Sequence, residues 1–106
     1  RNLVLMKDPK NFFPIRWGFP LLLKNQKERD DIIKILNKDS ILCRPGFYSL
    51  NMLKHLNIYN NKKTIKLDFR NAEIATNNLI VLPMHNNLKN NEVSFICSKI
   101  NDYFKK

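Results

Sequence analysis

The sequence predicts a small α+β domain: a sheet of three or four antiparallel or mixed strands with helices packed on one face. Three observations lead there. Short apolar runs of strand length, such as "SILC" and "LIVL", alternate with segments of helical periodicity. The clearest of those helical segments closes the chain. At 106 residues, the polypeptide can bury one modest core and therefore forms one domain at most.

Residues 1–14 read as a lead-in, punctuated by Pro9 and Pro14, with the domain proper spanning 15–106. "IRWGFPLLL", Ile15 to Leu23, reads as the first strand, and Pro20 places it at a sheet edge or beside a bulge. Asn25 with Glu28 three residues on is a capping-box pattern, and opens the helix "KERDDIIKILN". Its broad apolar face holds Ile32, Ile33, Ile35 and Leu36. "SILC" is a short buried strand. It ends at "RPGFY", where Pro45 and Gly46 suit the central positions of a type II turn.

"LNMLKHLNIY" is a short helix by this reading, "NNKKTIKLDF" a loop or weak strand, and "RNAEIATNN" a further helix closed by its Asn pair. "LIVL" is too apolar to be exposed on both faces. In the last helix Val93, Ile96, Cys97, Ile100, Tyr103 and Phe104 follow steps of three and four. Lys89 stands where a capping residue would serve better, and Asn90 is the alternative cap. There is no internal repeat.

Hydrophobic residues make up 43% of the chain and charged residues 26%, ordinary for a globular protein. No run approaches the ~18 apolar residues of a membrane span, and the first residues do not read as a secretion signal, because Lys7, Asp8 and Lys10 interrupt any apolar stretch. The chain begins at Arg1 rather than Met, so it is expected to be a piece of something longer. Cys43 and Cys97 show no ligand or redox spacing, and a reducing cytoplasm is the simplest setting. Cys97 falls on the apolar face of the last helix, where free Cys behaves as a small hydrophobe. The formal net charge of +10 draws anions, although dispersed lysines also describe a solvated surface.

Gly18 and Gly46 are too far apart for a dinucleotide fingerprint or a P-loop. His55 and His85 have no carboxylate or thiol at ligand spacing, so no metal site is expected. Ser40, Ser49, Ser94 and Ser98 sit in no nucleophile elbow. Asp30 and Asp31, adjacent on a helix, point apart and read as solvated. No catalytic residue is nominated. A turn at a strand end can carry binding groups, which singles out Tyr48 and Arg44, whose guanidinium can fork onto phosphate. The competing reading packs Tyr48 on the short helix and leaves Arg44 in solvent. Trp17 fits a core or an interface better than a ligand stack.

"AEIATNNLIVLPMHNNLKNNEVSFICSKINDYF" resembles the C-terminal end of the DegT/DnrJ/StrS-type sugar aminotransferases. Those chains close with an Ala-Glu, a helix, a strand ending Leu-Pro-apolar-His and an amphipathic helix. Here these are Ala72-Glu73, Leu82-Pro83-Met84-His85 and the helix around Glu92 and Val93. Upstream, "WGFPLLLKNQKERDDIIKILNKDSILCRPGFYSL" is similar to the preceding family segment, with Tyr48 on its tyrosine. Lys89, Asn90 and Asn91 depart from the family's Thr and acidic residues, no Gly precedes Ile41, and Phe47 and Asn51 stand where histidines are often found.

The resemblance implies the C-terminal small domain of an aspartate-aminotransferase-like, pyridoxal-phosphate-dependent enzyme acting on nucleotide-linked keto sugars. It implies that the Schiff-base lysine and the cofactor's ligands lie in a large domain preceding this region, so this chain alone would bind no cofactor and be inactive. It further implies a homodimer for the whole enzyme, and Arg44, Tyr48 and Asn51 on the substrate side. The alternative is a stand-alone basic module for nucleic acid or protein, resting on the charge and on Phe12, Phe13, Trp17 and Tyr48 as stacking groups. Dispersed charges speak against nucleic acid, and a scaffolding role would bury the "RPGFY" segment against a partner.

Overall fold

A computed structural model describes residues 3–59 and 68–105. Four antiparallel strands form one sheet in the order β1-β2-β4-β3, where β1 is Val4–Leu5, β2 Phe19–Leu22, β3 Arg44–Pro45 and β4 Leu79–Leu82. Three α-helices, α1 (Gln26–Lys38), α2 (Arg70–Asn78) and α3 (Asn90–Phe104), accompany it, with 3-10 turns at Leu50–Met52 and Lys54–Tyr59. The α+β class and the strand number agree with the sequence-based expectation.

The central pair is β2 with β4, in the register Phe19↔Leu82 to Leu22↔Leu79. Cross-strand partners point to the same face of a sheet. Leu21 and Ile80 are therefore on one face with Leu23, and all three are buried. Ile32 and Leu36 of α1 and Ile96 and Ile100 of α3 close over them, with Cys43 alongside. Pro20, Val81, Leu22 and Leu79 occupy the other face, where no comparable buried core forms among the described residues.

Helix α1 forms where its cap predicts. Asn25 Oδ1 accepts the Glu28 N–H at 2.9 Å, and the Glu28 carboxylate accepts the Lys24 N–H at 3.2 Å. Helix α3 starts with Lys89 in the cap position and Asn90 as first helical residue, so the alternative Asn90 cap is not used. Lysine offers no acceptor, and the bond at this end is the Lys89 N–H to the Glu92 carboxylate, 2.7 Å. Lys99 bonds Asp39 at 2.9 Å and the Tyr103 hydroxyl reaches Asp31 at 3.4 Å, tying α3 to α1. Asp30 and Asp31 are thus engaged rather than merely solvated, Asp30 by Arg29 at 2.8 Å.

Several local expectations are corrected. Pro20 sits in an interior strand, not at an edge. The Leu23 N–H bonds the Asn78 carbonyl at 3.0 Å, so by antiparallel alternation residues 19, 21 and 23 turn their N–H groups toward β4. The missing N–H of Pro20 faces the β1 side instead, where pairing reaches only Leu21 and Leu22. The third strand is not "SILC" but the next two residues, Arg44 and Pro45, paired with Val81 and Ile80. No glycine has positive φ, so the type II turn is absent. Gly46 lies close to β4: a Cβ there would lie 2.9 Å from Leu79 Cδ2 and 3.3 Å from Leu79 Cβ, so a larger residue would oblige the Leu79 side chain to shift.

The first strand is four residues rather than nine, with a bend at Trp17–Gly18. The lead-in supplies β1, which the sequence reading missed. The short helix is two 3-10 turns, and residues 60–67 of the expected loop or weak strand lie outside the described residues. Cys97 is exposed, and the buried stripe of α3 narrows to Ile96 and Ile100 with Tyr103 packed beside them. No helix among the described residues is long and apolar enough to cross a membrane.

Leu36 is fully buried between helix and sheet, whereas Leu42 is 85% exposed. Leu36→Ala should cost about 2–5 kcal/mol of unfolding free energy, and Leu42→Ala within about 0.5 kcal/mol, both read from urea midpoints.

Burial raises the Cys43 thiol above its ordinary 9.0. Tyr103 is raised from 10.0 by burial first, then by the charges of Asp31 and Glu28 and the bond to Asp31. In both groups the fold favours the neutral form. Their contribution is whole below the unfolded pKa and is lost as pH rises through the folded one. The urea midpoint should hold to about pH 9 and then decline, and Cys43→Val should flatten the first part of that decline.

Candidate functional site

The face of the sheet turned away from α1 and α3 carries a groove of about 450 Å³. Its floor includes Pro20, Leu79 and Val81, and Met6 of the lead-in with Ile15 just after it supplies a wall. The bend at Trp17–Gly18 brings the Trp17 ring over the groove. Gly18 permits this because a Cβ would meet Val81 Cγ1 at 2.8 Å.

Three side chains from separate elements meet at the groove's edge. Arg44 projects from β3 on the same face as its partner Val81. Its guanidinium carbon lies 4.7 Å from the Trp17 ring centre and 5.2 Å from that of Phe47, and the two rings are 5.4 Å apart. The rings form a platform under the cation, a cation–π arrangement that restricts the side chain without consuming its N–H donors. Arg16 and Asp8 form an ion pair within the same lining, and Lys7 is next to it. The ionisable lining is therefore Lys7, Arg16 and Arg44 against Asp8 alone, three cations and one carboxylate.

The segment after β3 is held by α2. The Ser49 N–H donates to Thr76 Oγ1 at 2.7 Å, and the Thr76 hydroxyl has the Phe47 and Ala72 carbonyls at 3.1 and 3.0 Å as acceptors. The Ser49 hydroxyl donates to Asn51 Oδ1, whose amide in turn donates to the Glu73 carboxylate. Glu73 and Thr76 stand three residues apart, on one face of α2. Buried Arg29 completes the support from behind, donating to the Thr76 carbonyl at 2.9 Å while Asp30 offsets its charge. Phe47 is thereby turned to the groove. Tyr48, its neighbour, is exposed and outside the groove's lining.

Of the residues singled out from sequence, Arg44 lines the groove, Tyr48 projects beside it, and Asn51 is occupied with Ser49 and Glu73. The three do not converge. Trp17 is 65% exposed and not in the domain's core; its contacts are Arg44 and Phe47. Sequence reasoning missed the Thr76–Ser49 clamp and buried Arg29. The spacing of Glu73 and Thr76 on one helix face was the available signal for the clamp, whereas an Arg in a charged helical segment gives none for burial. Among the described residues, no group of three or more His, Cys, Asp or Glu side chains could hold a metal ion. His85 is exposed on a second groove between α3 and the loop after α1.

A four-stranded antiparallel sheet, helices over one face and an apolar groove on the other define a small α+β domain. The chain belongs to the DegT/DnrJ/EryC1/StrS aminotransferase family, whose sequence profile matches residues 4–101. Among solved structures it is similar in fold to Helicobacter pylori PseC, an aminotransferase involved in the biosynthesis of pseudoaminic acid, with a TM-score of 0.65 and 22% identity over 83% of this chain. It is also similar to Spr1654 of Streptococcus pneumoniae, assigned as a sugar aminotransferase. The pyridoxamine-phosphate (PMP) form gives a TM-score of 0.59 and 26% identity over 80% of the chain. The apo form gives 0.54 and 25% over 84%. The chain spans only 23%, 21% and 24% of those three structures. No curated protein matches it in sequence.

Pyridoxal phosphate needs donors for its phosphate, a partner for its ring nitrogen and a lysine. The groove does hold a lysine, Lys7, but no hydroxyl side chain lines it and its single carboxylate, Asp8, is engaged by Arg16, so these residues leave the ring nitrogen without a partner and do not fit the cofactor.

Thr76→Val would leave the buried Ser49 N–H without its acceptor, at a cost of about 1–3 kcal/mol. It should also shift the fluorescence of Trp17, the sole tryptophan, by releasing Phe47. Thr76→Ser should restore both. An unshifted emission in the valine variant would show that the clamp does not reach the groove.

Proposed function

We propose that this chain is the C-terminal small domain of a pyridoxal-phosphate-dependent sugar aminotransferase, acting on nucleotide-linked keto sugars. In this reading residues 15–106 are the domain and 1–14 lead into it through β1. The cofactor, its lysine and the chemistry of transamination belong to a large domain this chain does not contain. One observation carries the reading: the family profile spans nearly the whole chain, yet the chain amounts to less than a quarter of each solved relative. The apolar face with Trp17, Phe47 and Val81 supports it, being suited to lie against a larger body. Arg44 and Tyr48, on rigid supports beside that face, would form part of the substrate wall. The complete enzyme would be a homodimer in a reducing cytoplasm, in keeping with the free thiols of Cys43 and Cys97.

A second reading, a basic module for single-stranded nucleic acid, keeps one observation in its favour: Phe12, Phe13, Trp17 and Tyr48 are all exposed. Such binding would weaken steeply with salt.

The preferred reading expects no transamination by the chain alone. After incubation with pyridoxal phosphate and borohydride, no single lysine should be labelled stoichiometrically on mass analysis. Co-expression with a cofactor domain of the family should restore transfer to a nucleotide-linked keto sugar. One fully labelled lysine, or transfer by the isolated chain, would refute it.

A further inference from the structure

We infer that the second groove, between α3 and the loop after α1, docks a short apolar segment of a partner protein that carries lysine or arginine. This groove shares no lining residue with the first, and the inference does not rest on the aminotransferase reading. Its first support is a strand that fails to form. "SILC" has strand chemistry, yet pairing begins only at Arg44. The Ile41 N–H turns back to the Leu36 carbonyl at 3.0 Å instead. Residues 41–43 still alternate as a strand would. Ile41 packs against the core and Cys43 is buried, while Leu42 between them is 85% exposed. Most of the Leu42 surface is thus left for another molecule to cover.

Leu42 faces a groove of about 840 Å³, with Leu88 and half-exposed Phe95 as further apolar lining. Charge decides what fits there. The first groove is lined by three cations and one carboxylate, whereas the second carries Asp39 and Glu92 and neither lysine nor arginine. Lys99 holds Asp39 at 2.9 Å. Glu92 has no ion-pair partner among the described residues, and its bond from the Lys89 N–H engages only Oε2. Within a chain of net charge +10, this is an apolar recess with a free carboxylate at its side. A cation next to an apolar anchor complements it, and such complementarity sets register as well as attraction. Small-molecule sites enclose most of their ligand; with Leu42 so far in solvent, this recess suits a segment laid along it. A second copy of the chain would bring another +10 and be repelled.

Fluorescence anisotropy with three labelled heptapeptides tests this: alternating lysine and leucine, alternating glutamate and leucine, and alternating lysine and serine. The lysine–leucine peptide is expected to bind the chain more tightly than either of the others, because it alone brings both the cation and the anchor. Leu42→Ser should weaken it about tenfold or more with an unchanged urea midpoint, since that side chain supports nothing in the fold. Glu92→Gln retains an oxygen for the Lys89 N–H but removes the charge, and should weaken the peptide severalfold while reducing its salt dependence. Undetectable binding of the lysine–leucine peptide, or binding indifferent to Leu42→Ser, would overturn the site. The glutamate–leucine peptide binding equally well would overturn its charge preference, and the lysine–serine peptide doing so would overturn its apolar anchor. Sedimentation showing a dimer of the chain that Leu42→Ser abolishes would overturn the inference in favour of a second copy.

Discussion

The pairing of β2 with β4 is the constraint on which the rest of the molecule depends. It joins a strand near the start of the chain to one near its end, closing a long loop before any of the intervening core can be rewarded. Because side chains alternate across a sheet, this single register assigns every residue of both strands to one of two environments. Leu21 and Ile80 enter the core beneath α1 and α3. Pro20 and Val81, one step along, form the floor of the groove. A slip of one residue would exchange the two sets.

Polar contacts then fix what the register leaves undetermined. Arg29 is buried, and a buried charge is tolerated only when paired and hydrogen-bonded. Asp30 and the Thr76 carbonyl meet that requirement and couple α1 to the C-terminal end of α2. On the opposite side of the same residue, the Thr76 hydroxyl secures the segment that carries Phe47. The groove's aromatic platform is thus set through α2 by groups that line no groove themselves. Arg16 is paired with Asp8, whereas Arg44 has no ion-pair partner among the described residues.

Much of the fold was legible in local chemistry. Asn25 with Glu28 located the start of α1, the residues "RNAEIATNN" coincide with α2, and "LIVL" coincides with β4. Those signals act within a few residues and need no knowledge of neighbours. Family membership was legible too, from the order and spacing of Ala72-Glu73, Leu82-Pro83 and the final helix. Errors gathered where a neighbour overrides local preference. Pro45 and Gly46 have turn chemistry, but β4 offers the Leu79 carbonyl to the Gly46 N–H at 3.0 Å, and the chain stays extended. Pro20 argued for an edge, yet its missing donor faces the side where β1 has already ended.

Composition and periodicity alone determined one small α+β domain with a basic surface, because burial of apolar stripes at helical and strand spacing follows from the residues themselves. Only the tertiary structure decided which stripe residues are covered, that Cys97 stays exposed, and that Trp17, Arg44 and Phe47 share one platform. Trp17 is distant in sequence from Arg44 and Phe47, and no local signature links it to them. Their meeting depends on a bend, an edge pairing and a helix-borne hydroxyl, and each of these takes effect only after the long loop between β2 and β4 has closed.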